Sequence, residues 1–204
     1  MKLLTFDTCL DKTYITLSSE NKIIRSEIIN SDGENYHSAY LISTIVKILK
    51  EAGLTPNDID VIGTDIGPGS FTGIRACTTV ARVLAQQLNI KTIGISSLEI
   101  LSHVLGGDDM VVLDARKNKA YVYDGKILGA IELEKVDEMV KNRLVVTDNS
   151  LYERVSKKAS TTISYQNGDF PLGDILTKLA LEKQPKSWQE LKPLYIQPPP
   201  VFGK

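Results

Sequence analysis

Gly67-Pro68-Gly69-Ser70-Phe71-Thr72-Gly73-Ile74-Arg75 follows an apolar, strand-like run (Ile59 to Ile66) and opens a helix-like one (Thr72 to Leu88). A strand, a glycine turn and a helix N-terminus make a potential anion cradle, because the first N–H groups of a helix lack internal partners and sit at the positive end of its dipole. Arg75 adds a fixed charge one turn in. The stretch is not a P-loop, which places Lys-Ser/Thr directly after its second glycine; here Ser70-Phe71-Thr72 separate Gly69 from Gly73 and no lysine is present. The plainer reading is a tight turn with Ser70 or Thr72 as helix cap.

Other chemistry is sparse. The chain has two histidines, His37 and His103, with Leu41 and Gly107 at the i+4 positions where a second imidazole would complete a helical metal pair. Asp7 closes the first strand, yet Thr8-Cys9-Leu10-Asp11 follows it rather than the glycines that let backbone amides wrap a phosphate. Asp7 and Asp114 therefore read as strand-end carboxylates that receive loop N–H groups. No nucleophile elbow accompanies a histidine. Cys9 and Cys77 stand far apart and outside any C-x-x-C pair, so they read as reduced packing residues, and no metal site is expected on this chain.

The elements that position these residues read in a definite order. Strands are expected at Leu3–Asp7, Thr13–Leu17 and Lys22–Ile29, then a helix (Tyr36–Ala52), a strand (Asp60–Ile66), the helix after the glycine turn and a strand (Lys91–Ile95). Three hairpin-connected strands followed by alternating helix and strand is the ribonuclease-H-like arrangement. Met110–Asp114, Ala120–Tyr123 and Ile127–Ile131 restart the pattern about 107 residues later, Asp114 standing where Asp7 stood. Shorter elements follow: helix Glu134–Lys141, strand Leu144–Thr147, helix Leu151–Lys158, strand Thr161–Tyr165 and helix Leu172–Glu182. The expected fold is thus α/β, two similar subdomains at residues 1–106 and 107–191, the second reduced, with a proline-rich tail at 192–204 that is either a docking strap or a loose end.

The glycine-turn helix carries Gly73, Cys77, Ala81 and Ala85 at i+4 steps, a ridge of small residues that lets another helix approach closely. Leu41, Ile45, Ile48 and Ala52 make an apolar stripe on the preceding helix, with Ile42, Val46 and Leu49 beside it. Both helices are either ordinary core helices or a surface for a partner.

With 204 residues, 42% hydrophobic content and a net charge of -1, the chain reads as globular and cytoplasmic, with no membrane span. That near-neutral balance also argues against nucleic-acid binding by this chain alone.

The nine-residue stretch resembles, position for position, the signature of the TsaB (YeaZ) family, the non-catalytic partner of TsaD in bacterial synthesis of threonylcarbamoyladenosine on tRNA. Leu3-Leu4-Thr5-Phe6-Asp7-Thr8, Ile93-Gly94-Ile95-Ser96-Ser97-Leu98-Glu99, Asp114-Ala115-Arg116 with Ala120-Tyr121-Val122-Tyr123, and more weakly Pro193-Leu194-Tyr195 resemble that family in the same order. The resemblance implies an actin-like, sugar-kinase-like (ASKHA) fold. It also implies a scaffold without catalytic residues or cofactor of its own, binding a TsaD-like transferase through the two helices, with Leu41, Ile45, Ile48, Gly73, Cys77, Ala81 and Ala85 as contact residues. ATP and iron are implied on partner subunits, a TsaE-like ATPase in the same complex, tRNA only through the complex, and a homodimer when the partner is absent. A stand-alone enzyme, either a small-molecule kinase or a glycopeptidase-like hydrolase, is the alternative. Ala39, Arg82 and Gln197 depart from the family pattern, at usual Glu, Lys and Arg positions.

Overall fold

The computed structural model describes residues 1–30 and 40–197. His37, Ala39, the start of the expected first helix and the Pro198-Pro199-Pro200 tail lie outside the described residues. The chain forms two compact units, residues 1–97 with 172–194 and residues 98–171 with the segment from Tyr195 onward.

In the first unit β1 (Lys2–Asp7), β2 (Thr13–Ser19) and β3 (Lys22–Ile29) run antiparallel, and β4 (Val61–Asp65) and β5 (Lys91–Ile95) join parallel to β1, in the order β3-β2-β1-β4-β5. Leu3 pairs with Val61 and Phe6 with Thr64, so β1 and β4 end together. Buried on both faces, β1 and β4 are largely continuous rather than alternating in hydrophobicity, as central strands are. Helices α1 (Leu41–Glu51) and α2 (Phe71–Leu88) cover one face, sharing a core with Leu4, Phe6, Ile15, Leu17 and Ile62.

The second unit repeats the plan with β6 (Met110–Asp114), β7 (Lys119–Tyr123), β8 (Ile127–Glu132), β9 (Leu144–Thr147) and β10 (Thr161–Ser164), ordered β10-β9-β6-β7-β8. Its five strands match the first sheet. Reduction is slight in the strands, each one or two residues shorter than its counterpart, and large in the helices: after α3 (Ser97–Leu101), α4 (Leu133–Met139) and α5 (Asn149–Ser156) have seven and eight residues against eleven and eighteen for α1 and α2. Met110, Val112, Val122, Val136, Val145 and Leu151 form its core. This doubled plan is the ASKHA-type fold.

One element departs from the expected division at residues 106 and 107. Helix α6 (Leu172–Leu181), read as the end of the second subdomain, packs on the open face of the first sheet. Thr177 Oγ1 stands 2.6 Å from Thr5 Oγ1, and a Cβ on Gly173 would meet Thr16 Oγ1 at 2.7 Å, so the helix lies close against β1 and β2. A sheet whose strands are apolar on both faces needs a second layer, and the chain returns to supply it. Among the described residues no helix is long and apolar enough to cross a membrane.

Candidate functional site

The ends of β1 and β4 converge on the glycine turn. Asp7 is the last residue of β1 and Asp65 the last of β4, and each folds the chain that follows it: Asp7 Oδ1 accepts the Cys9 N–H (2.6 Å), and Asp65 Oδ1 accepts the Gly67 N–H (2.6 Å). The Ser97 hydroxyl lies 2.8 and 2.7 Å from the two oxygens of Asp65. Gly67 has φ +96°, and the Gly67–Pro68 peptide is cis. The second unit reproduces the device. Asp114 Oδ1 accepts the Arg116 N–H (2.8 Å), and Asp148, just after β9, accepts from the Asp114 N–H (2.6 Å) and caps α5 through the Leu151 N–H (3.0 Å). The repeat expected from Asp7 and Asp114 therefore extends to Asp65 and Asp148, which the sequence reading did not single out; their only signal was an Asp at or just past the end of each unit's fourth strand.

The cradle opened by the turn is filled by the chain itself. Ser70 caps α2, accepting the Gly73 N–H at 3.3 Å, while its own N–H donates to Cys9 O at 2.8 Å. Thr8 Oγ1 donates to Gly73 O (2.8 Å). A Cβ on Gly69 would stand 2.3 Å from Cys9 O, and one on Gly73 1.8 Å from Thr8 O, so both positions require glycine for the β1–β2 loop to lie against the helix start. Ile74 is buried, whereas Phe71, Thr72 and Arg75 face outward, the Arg75 guanidinium 3.9 Å over the Phe71 ring.

Beneath this loop lies a closed polar cluster. Asp7, Cys9, Asp65 and Cys77 are at most 2% exposed. Cys77 Sγ lies 3.0 Å from the Thr8 N–H donor and 3.1 Å from Thr8 Oγ1. Burial, the charge of Asp65 and then that of Cys77 push the Asp7 carboxyl well above its usual range. Burial also pushes Asp65 up to about 6, against the pull of Ser97 and the Gly67 N–H. The Cys9 thiol is pushed up by burial and by its hydrogen bond with Cys77. For Cys77 burial acts upward, but hydrogen bonds from Cys9, Thr64 and Thr8 outweigh it and hold the thiol below its usual value. The wide sequence separation of the cysteines concealed this cluster.

The ridge residues Gly73, Cys77, Ala81 and Ala85, and Leu41, Ile45 and Ile48 of α1, do not form an outer contact surface. All seven are buried in the first unit's own core. The small side chains answer a close approach, but of the unit's own strands and of the β1–β2 loop. What α1 and α2 present outward is Ile42 and Val46, 47% and 57% exposed, and Phe71, Arg75 and Val83, the last 51% exposed. Of the departures from the family pattern, Arg82 reaches over the Trp188 ring (5.8 Å) and Gln197 Nε2 donates to Ala115 O (3.3 Å). His103 lies at the end of α3, its Nδ1 3.0 Å from Glu99 O.

Known proteins agree on this architecture. The family model of TsaD, tRNA N6-adenosine threonylcarbamoyltransferase, matches residues 22–178. The tRNA threonylcarbamoyladenosine biosynthesis protein TsaB of Buchnera aphidicola subsp. Baizongia pistaciae is 35% identical over 101 residues, 49% of this chain and 44% of that protein. TsaB of Bacillus subtilis is 32% identical over 124 residues, 59% and 53% of the two chains. The chain spans about half the length of the curated relatives it matches. YeaZ from Pseudomonas aeruginosa, at 22% identity, superposes with a TM-score of 0.74 over 95% of this chain and 99% of its own, and shares the fold. With the matched model covering most of its length and the signature turn built as described, the chain belongs to the TsaD family of tRNA N6-adenosine threonylcarbamoyltransferase proteins, within its TsaB/YeaZ group.

Proposed function

We propose that this chain takes part in the synthesis of N6-threonylcarbamoyladenosine on tRNA as a non-catalytic, activating subunit that pairs with a TsaD-like transferase. The observation that carries this reading is the filled cradle. An actin-like phosphotransferase wraps nucleotide phosphates with the backbone that follows its first strand; here that backbone, Thr8-Cys9, lies on Gly69 and Gly73, and the Ser70 N–H at the helix start is engaged by Cys9 O. The pathway is the one in which its TsaB relatives are named, tRNA threonylcarbamoyladenosine biosynthesis.

The partner surface is the outward side of α1 and α2, with Ile42, Val46, Val83 and the Phe71–Arg75 pair at its exposed positions. ATP and iron belong to partner subunits in this reading, among them a TsaE-like ATPase, and the chain meets tRNA only through the complex. The same face joins two copies when the partner is absent. The test is co-expression with the TsaD-like protein of the same cell, followed by gel filtration and an assay of tRNA modification with each subunit omitted. Modification that requires both chains, with none from this chain alone, supports the reading. Phosphotransfer or hydrolysis by the isolated chain at ordinary enzymatic rates, above about 1 s⁻¹, selects the stand-alone enzyme instead.

A further inference from the structure

Three donor atoms under the β1–β2 loop, one carboxylate oxygen of Asp7 and the sulfurs of Cys9 and Cys77, lie within 4.8 Å of one another. In a tetrahedral zinc site, metal–sulfur bonds of about 2.3 Å and metal–oxygen bonds of about 2.0–2.2 Å hold the ligand atoms roughly 3.5–3.8 Å apart. The trio therefore needs to contract by no more than about an ångström around an ion. Two thiols with one carboxylate is a donor set that selects a thiophilic borderline cation over magnesium or calcium, which prefer all-oxygen shells.

A second observation points to a ligand here. Asp7 is 2% exposed; its Oδ1 accepts the Cys9 N–H, and among the described residues no N–H or hydroxyl donor reaches its Oδ2, the one side chain that engages this carboxyl being the equally buried acid Asp65. A buried carboxylate oxygen without a partner is costly in a folded protein, and a bound cation satisfies it. The surrounding groups suit the same role: the Thr8 N–H and Oγ1 converge on Cys77 Sγ at 3.0 and 3.1 Å, as outer-shell donors do around a coordinated thiolate. Asp65 is already held by Gly67 and Ser97 and is left out of the set.

We propose that Asp7, Cys9 and Cys77 bind one zinc-class divalent cation, clamping the β1–β2 loop to α2. Each thiol that coordinates releases its proton to solvent, so loading liberates protons. The site is closed, and the ion enters while the chain folds.

The experiment is refolding of the full chain from denaturant, under reducing conditions, with one equivalent of Zn²⁺ or Co²⁺ or with a chelator, followed by desalting. The expected result is about one retained metal per chain by elemental analysis, a sulfur-to-cobalt charge-transfer band in the Co²⁺ form, and a higher melting temperature than the chelated protein. Cys9→Ser, Cys77→Ala and Asp7→Asn, each checked for folding by circular dichroism, should lose cobalt affinity at least tenfold, and either cysteine variant should weaken the charge-transfer band where Asp7→Asn leaves its sulfur origin intact. A folded wild type that retains less than about a tenth of an equivalent overturns the site. So does cobalt bound equally well by wild type and by a folded Cys9→Ser/Cys77→Ala double variant, since the ion then sits elsewhere.

Discussion

Gly73 lies directly against Thr8: the Thr8 hydroxyl donates to Gly73 O at 2.8 Å, and a single added carbon on Gly73 would fall 1.8 Å from Thr8 O. This contact between the start of a helix and the end of a distant strand explains why the signature turn carries glycine at a helical position, where glycine is intrinsically unfavourable by about 1 kcal/mol. Backbone stands on both sides, so neither side yields cheaply. Gly73→Ala should therefore destabilise the protein by about 3 kcal/mol or more, the upper end of overpacking costs, read as a lowered urea midpoint. An unchanged midpoint would mean that the loop moves freely.

The burial of the small-residue ridge reverses which substitutions report on partner binding. Ala81→Arg forces an unpaired charge into the core shared with Phe6 and Ile62 and should unfold the first unit, at a cost of several kcal/mol. Val46→Arg and Val83→Arg, on half-exposed positions, should leave stability within about 0.5 kcal/mol. If these helices form the partner surface, the same two variants should weaken binding of the TsaD-like subunit at least tenfold in a titration; native affinity in both places the interface elsewhere.

Arg75 sits in the first turn of α2, where the helix dipole disfavours a cation, and it lies 3.9 Å over the Phe71 ring on the exposed side. Arg75→Ala should lower tRNA modification by the assembled complex several-fold while leaving the melting temperature of the isolated chain unchanged. Equal activity with equal binding would reduce Arg75 to a surface residue.

In the second unit Asp137 joins α4 to α5: Arg154 contacts both its oxygens at 2.9 Å, and Lys158 adds a contact at 3.4 Å. The Arg154 hydrogen bonds hold the Asp137 carboxyl below its usual value, burial opposing. A carboxyl depressed on folding contributes stability that is present above its unfolded pKa of about 4 and is lost as pH falls through the lower folded value. Asp137→Asn should cost about 1 kcal/mol at pH 7, given partners 38% exposed, and nothing near pH 2. Denaturation midpoints measured across pH 2 to 7 decide it, and a pH-independent difference would assign the loss to packing.

The order of elements was legible because each rests on local signals. Alternating or continuous apolar runs marked the strands, and the bounds of β3, β5, β6 and β9 coincide with the expected ones. Small residues at i+4 steps correctly announced a close approach along α2, but periodicity says nothing about what approaches, and Thr8 lies far away in the chain. Likewise, α6 follows the second sheet in sequence and was grouped with it; the Thr5–Thr177 contact that ties it to the first sheet spans 172 positions and leaves no local trace. Cys9 and Cys77 were kept apart for the same reason, since their distance in the sequence hid that both lie under the β1–β2 loop.

The return of α6 to the first sheet has a consequence for synthesis on the ribosome. Residues 98–171 must leave the exit tunnel before Leu172–Leu181 can cover β1 and β2. At about 5–20 residues per second the first unit waits roughly 4 to 15 s with one apolar face open. The second unit has all five of its strands and its apolar cluster before α6 emerges, and so its sheet, though begun last, can close while the first is still waiting for its second layer. A nascent chain of this design exposes its amino-terminal sheet, rather than its carboxy-terminal one, to holdase chaperones.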